Sequence, residues 1–153
     1  MNVSSNTADR ELVTTRIFDA PREKVFEAWT NPEQVVHWWG PRGFTNTIHE
    51  MDVRPGGVWK FIMHGPDGVD YQNLIEYKEV VRPEKLVYSH GSNDDPRQFE
   101  VSVTFEEEGS KTKLTMHSIF RTAEEFKIKV EKFGAIEGLK GTLDRLEEQL
   151  AKR

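Results

Sequence analysis

The residues that could do chemistry are few and scattered. His37, His49, His64, His90 and His117 show no i,i+4 pairing, and the chain has no cysteine. Metal ligation is therefore not expected, nor a disulfide or a cysteine nucleophile, and no cofactor is implied. Spacing supports no Ser–His–acid arrangement, nucleophile elbow or phosphate loop. Arg54-Pro55-Gly56-Gly57 lacks the following helix that would supply convergent N–H groups to an anion. It reads as a hairpin turn in which Gly56 and Gly57 permit positive φ. His90 keeps chemical interest because its strand parity turns it inward. A general base would need a titratable partner nearby, and the alternative is a structural histidine with its hydrogen bonds met. Glu137 sits one turn past Phe133, between Gly134 and Gly138, on the apolar side of a C-terminal helix. Burial there would raise its pKa and favour proton transfer; the alternative is that it tilts out at the edge of the stripe. The pair Trp38-Trp39 precedes a Gly-Pro break. Either Trp39 lines the mouth of a pocket, or one indole packs in the core and the other under a loop.

The elements that must hold these residues begin with the last third of the chain. Phe126, Val130, Phe133, Ile136, Leu139, Leu143, Leu146 and Leu150 recur at steps of three and four, the period of one amphipathic helix spanning Thr122 to Lys152. Thr122 and Glu125 have capping-box spacing. Gly134, Gly138 and Gly141 interrupt this helix, each at roughly 1 kcal/mol relative to Ala, so close backbone approach or vacant volume beside the helix is expected to compensate.

Before it, Arg10 to Phe18 reads as a first strand. Asp19-Ala20-Pro21 opens a short helix with Asp19 as cap, and Pro32 opens a second carrying Trp38 and Trp39. Further strands are expected over Phe44–Val53, Val58–His64, Tyr71–Val80, Leu86–His90, Gln98–Glu106 and Lys113–Phe120, separated by turn signals. Hairpin-linked strands followed by a helix predict an α+β fold, with a curved antiparallel sheet of six or seven strands wrapped around the C-terminal helix. Period-2 alternation predicts the concave lining. It comprises Trp59, Phe61 and Met63; Tyr71 and Asn73; Tyr88 and His90; Phe99 and Val101; and Met116. With Trp39, Phe133 and Glu137, these are the candidate ligand-binding residues. No catalytic residue is assigned. The run Glu106-Glu107-Glu108 reads as a solvated turn.

Composition sets limits on function. The 153 residues favour one domain with a proper core, and a charged fraction of 31% suits a soluble globular protein. A formal charge of −5 gives no footprint for nucleic acid or an anionic membrane. There is no apolar signal region and no run of membrane-spanning length, so a cytoplasmic protein without membrane insertion is expected. Met1 to about Asp9 is small and polar and is expected to be a disordered tail, leaving 10–153 as the domain.

The ordered pieces together resemble a known family. They are Asp19-Ala20-Pro21 with Val25, Phe26 and Trp29; Asn31-Pro32; Trp38-Trp39-Gly40-Pro41; Asp52-Val53-Arg54-Pro55-Gly56-Gly57 with Trp59; Pro66-Asp67-Gly68; Glu79-Val80 with Pro83-Glu84-Lys85-Leu86-Val87; and the glycine-spaced helix ending Leu143–Leu146–Leu150. From about Thr14 to Leu150 the chain resembles the START-like SRPBCC superfamily, and within it the family related to the activator of the ninety-kilodalton heat-shock chaperone ATPase, as a single-domain bacterial-type homologue. The resemblance implies a helix-grip fold with a cavity between sheet and C-terminal helix, and it carries over no catalytic residue. Fold alone does not fix function. The leading expectation is binding of a hydrophobic or aromatic, partly polar small molecule. The alternatives are a cavity enzyme of the polyketide cyclase or aromatase type, using Glu137, His90, Asn73 and the tyrosines, and a chaperone-interacting or other interaction module. A full co-chaperone role is disfavoured, because no long linker leads to a second module. Homodimerisation through a sheet edge or the helices is left open.

Overall fold

In a computed structural model, residues 8–152 are described except 93, 96 and 133. A 3-10 turn at Ala8–Arg10 leads into β1 (Glu11–Phe18). Helices α1 (Arg22–Thr30) and α2 (Pro32–Trp38) follow. Then come β2 (Thr45–Met51), β3 (Val58–His64), β4 (Asp70–Val81), β5 (Lys85–Gly91), β6 (Phe99–Glu108) and β7 (Lys111–Phe120). The chain closes with α3 (Ala123–Lys127), a π turn at Ile128–Lys132 and α4 (Ala135–Leu150). All strand pairs are antiparallel, in the order β1-β7-β6-β5-β4-β3-β2. The expected α+β architecture, with two short helices after the first strand, is the one observed. Register shifts at Ile48/Glu50 and Tyr77/Glu79 insert bulges, which deepen the twist and curve the sheet.

Local chemistry sets the element ends. Asn31 caps α2 by accepting from the Glu33 N–H, with Pro32 in the first turn. The cap of α1 is Pro21 without a side-chain bond, so Asp19 does not cap that helix. In the β2–β3 turn Gly56 takes φ +85°. Gly57 does not need positive φ. It is glycine because a Cβ there would lie 2.1 Å from the Asp52 carbonyl oxygen. This turn also exchanges hydrogen bonds with Tyr77 at the β4 bulge, from Gly56 N–H to Tyr77 O and from Tyr77 N–H to Gly57 O, both 2.9 Å.

The long C-terminal helix is broken. Thr122 caps α3 by accepting from the Glu125 N–H at 3.0 Å, while the Glu125 carboxylate turns to Arg121. The chain passes through the π turn, and Gly134 adopts a left-handed conformation at φ +64° before α4 starts. A left-handed residue cannot continue a right-handed helix, so this glycine divides the helix. Ile136, expected on the apolar stripe, stands in the first turn of α4 and is 51% exposed. At Gly141 a Cβ would lie 3.5 Å from the Arg42 backbone nitrogen, an ordinary van der Waals contact. Gly138 faces Pro41 at 3.4 Å.

The core joins Val25, Phe26 and Trp29 of α1, Val35 and Trp38 of α2, and Leu143, Leu146 and Leu150 of α4 to the concave side chains of the sheet. The backbone of α4 approaches α1 and α2, which hold it away from the middle of the sheet. Among the described residues, no helix is long and apolar enough to cross a membrane.

The glycines separate in a stability series measured by urea denaturation. Gly57→Ala should be the most damaging, since its methyl meets backbone. Gly134→Ala should cost about 1–2 kcal/mol for its left-handed geometry. Gly138→Ala has helical geometry and room for a methyl, and should gain up to about 1 kcal/mol.

Candidate functional site: a chamber between sheet and helix

A cavity of about 540 Å³ lies between the concave sheet and α4, within the usual range for small-molecule sites of roughly 300–1,000 Å³. Its floor is strand alternation. Tyr88 and His90 come from β5, Phe99 and Val101 from β6, and Met116 and Ser118 from β7. Met63, Tyr71 and Asn73 line it from the β3–β4 hairpin. Trp29, Trp38 and Trp39 form one wall, and Gly138, Leu139, Thr142 and Leu143 of α4 form the roof. Tyr71 is 44% exposed and its ring lies 6.0 Å from that of Phe44; together they mark a rim.

Trp39, Met63, Tyr71, Asn73, Tyr88, His90, Phe99, Val101 and Met116, all expected from sequence, border this chamber. Trp59 and Phe61 do not. They stack on each other at 4.2 Å behind Trp39, because the concave face is deeper than one layer of side chains and Trp39 covers them. Glu137 also does not. It is exposed on the first turn of α4, since the break at Gly134 resets the helix phase on which its inward assignment depended. A proton-transfer scheme using Glu137 therefore loses its acid. Phe133 lies outside the described residues. Both members of the Trp pair are buried and both border the chamber, with the Trp38 indole donating to the Ala28 carbonyl at 3.0 Å.

The polar part of the lining is compact. His90 Nε2 lies 2.9 Å from Asn73 Oδ1. The Asn73 amide nitrogen donates to the Tyr71 carbonyl at 3.0 Å. That fixes the amide orientation: Oδ1 can only accept, so His90 carries its proton on Nε2. Burial first, and the Lys129 charge second, lower the His90 pKa to about 4. The imidazole is therefore neutral at neutral pH and a weak base. Burial pushes the Tyr77 and Tyr88 phenols up, so both remain protonated. Gln98 donates to the Asp95 carbonyl at 3.2 Å and borders the chamber beside Ser92.

Several residues that build the chamber carried no clear sequence signal. Arg145 directs Nη1 to the carbonyls of Trp39, Gly40 and Pro41 at 3.2, 2.9 and 3.0 Å, and Nη2 to that of His37 at 2.9 Å. One guanidinium thus satisfies the carboxyl end of α2 and fixes the tryptophan wall. Arg16 reaches Asp144 at 2.7 Å, Lys24 donates to the Leu150 carbonyl at 2.8 Å, and Arg42 pairs with Glu148. Arg121 joins Asp95 of the β5–β6 loop to Glu125 of α3. Arg145 lies next to Leu146 of the apolar stripe, the one local hint of its half-buried role, whereas Arg42 and Arg121 are exposed and their partners are distant or in a loop.

A curved antiparallel sheet gripping a carboxyl-terminal helix over an apolar chamber defines a START-like module of the SRPBCC superfamily. The chain belongs to the family described as Activator of Hsp90 ATPase homolog 1-like protein, whose model matches residues 19–151. Solved structures agree. A protein from Mycobacterium smegmatis is 27% identical with a TM-score of 0.85, over 98% of this chain and 96% of that one. One from Staphylococcus epidermidis is 26% identical with a TM-score of 0.80, over 92% and 89%. One from Arthrobacter aurescens, at 22% identity and a TM-score of 0.86 over 100% and 92%, is similar in fold. No curated protein matches the chain significantly.

The histidine makes stability depend on acid. Its folded pKa is depressed, so its contribution is complete above the unfolded value of 6.5 and is lost as pH falls toward about 4. Relative to His90→Gln, the wild type should lose up to about 3 kcal/mol across that window. The two proteins should run parallel above neutrality, as read by urea denaturation at each pH.

Proposed function

We propose that this protein binds an apolar or aromatic, partly polar small molecule in the chamber between the sheet and α4. The observation that carries the reading is the chamber itself: about 540 Å³ of space, walled by Trp29, Trp38, Trp39, Phe99 and Met116, with Asn73, His90, Gln98 and Ser118 at its edge. Interiors are otherwise close-packed, with few voids larger than a water molecule. An apolar volume with a few polar groups is what a small molecule needs to be both buried and oriented. Binding is favoured over catalysis because the described lining holds a weakly basic histidine and no carboxylate.

The neutral fluorophore N-phenylnaphthylamine tests this reading. It should bind the wild type at one site and quench the wall tryptophans. Gly138→Leu places a side chain into the chamber from a position whose nearest neighbour is Pro41. It should weaken the probe about tenfold or more while leaving the far-ultraviolet circular dichroism spectrum unchanged. A folded Gly138→Leu variant that binds the probe as tightly as wild type would place the probe elsewhere and refute the reading.

A further inference from the structure

Not every polar atom of the lining has a partner within the chain. His90 donates through Nε2 to Asn73 Oδ1 at 2.9 Å, and the Tyr71 carbonyl holds the Asn73 amide in the orientation that accepts. With its proton on Nε2, the ring keeps a lone pair on Nδ1 that can only accept. Among the described residues nothing donates to that nitrogen. Two positions earlier on β5, and on the same face, Tyr88 is 2% exposed. Its phenol likewise has no hydrogen-bond partner among the described residues. The two rings lie 6.5 Å apart. Neither free atom is sealed within protein, as the unpartnered Ser89 Oγ and Trp59 Nε1 are. Both side chains border the chamber, and both atoms open on it.

These two atoms ask for complementary things. The imidazole stays neutral at neutral pH and the buried phenol stays protonated, so Nδ1 takes a donor and the phenol O–H takes an acceptor. In an empty chamber water can serve both. Once a ligand displaces that water, each atom left unpaired costs about 1–3 kcal/mol. An ether or ketone can accept from Tyr88 but leaves Nδ1 bare, and a carboxylate sets lone pairs against the lone pair of Nδ1. A hydroxyl is the simple group that both donates and accepts. We propose that the ligand is a hydroxylated aromatic molecule, bound with its O–H protonated and donating to His90 Nδ1. Its oxygen accepts from Tyr88, and its ring body lies against the tryptophan wall. This rests on the binding reading above and adds to it the polar group that the ligand must carry. Asn73 is then a positioning residue, since its amide fixes which nitrogen of His90 is left to accept.

The matched pair 2-naphthol and 2-methoxynaphthalene tests this. Both offer an oxygen that accepts, and only the naphthol donates. Each is titrated by calorimetry against the wild type, His90→Phe and Tyr88→Phe, with circular dichroism confirming the fold of the variants. The wild type should hold the naphthol about tenfold or more tightly than the ether. His90→Phe should bring the two affinities together, whereas Tyr88→Phe should weaken both and keep the preference. A second measurement needs no variant. With isotopically labelled histidine in the wild type, the naphthol should move the nitrogen resonance of His90 Nδ1 upfield, and the ether should move it much less. Equal affinity of the wild type for the pair would overturn the inference and leave the binding reading standing. So would an Nδ1 resonance indifferent to the naphthol, or binding of neither compound while N-phenylnaphthylamine still binds. Failure of all three probes would overturn the binding reading, and the inference with it.

Discussion

The chamber depends on α4 being held away from the sheet that it covers. An amphipathic helix beside a concave apolar face will settle onto it unless something else fixes its position, because collapse removes apolar surface from water. Here the fixing contacts are at the flanks of the helix. Arg145 gathers four carbonyls from α2 and the loop after it. Arg16 ties β1 to Asp144, and Lys24 ties α1 to the last turn. Leu143, Leu146 and Leu150 bury themselves in the core with α1 and α2, so the apolar stripe is anchored at its carboxyl half. The amino half, interrupted by glycine, is left over open space.

That arrangement explains the uneven use of glycine along α4. At Gly141 the loop backbone of Arg42 lies at ordinary van der Waals distance from where a Cβ would stand. Gly134 is required by its left-handed backbone, which separates the π turn from the helix proper. At Gly138 only Pro41 is near, and what the glycine leaves vacant belongs to the chamber. Gly134 therefore serves a turn and Gly138 borders a void, and their helical cost is offset in different ways.

Much of the fold was legible in the sequence because its signals are local. Alternation in β6 and β7, the Asn31-Pro32 start of α2 and the turn at Pro55-Gly56-Gly57 each follow from period or backbone preference within a few residues. The strand Val58–His64 and the inward parity of His90 came directly from that alternation. The failures come where position depends on distant contacts. A periodic stripe cannot reveal that Gly134 takes positive φ, so the helix read as continuous and Glu137 acquired an inward phase that it does not have. Parity placed Trp59 and Phe61 on the correct face without showing that Trp39 lies over them. The contacts of Arg16, Arg42 and Arg145 join residues more than a hundred positions apart, and no simple periodicity announces the π turn at Ile128–Lys132.

The central claim is that the space beneath α4 is occupied by a ligand rather than being an incidental void. Native mass spectrometry of the protein purified from its own host tests it most directly, with the same sample measured under denaturing conditions and then extracted into organic solvent. The account predicts an added mass at one equivalent that is released on denaturation, and an extract containing an apolar or aromatic, partly polar small molecule. A bare mass that stays bare after incubation with excess N-phenylnaphthylamine would contradict it, because a chamber of about 540 Å³ that admits neither a native ligand nor an apolar probe is not a binding site.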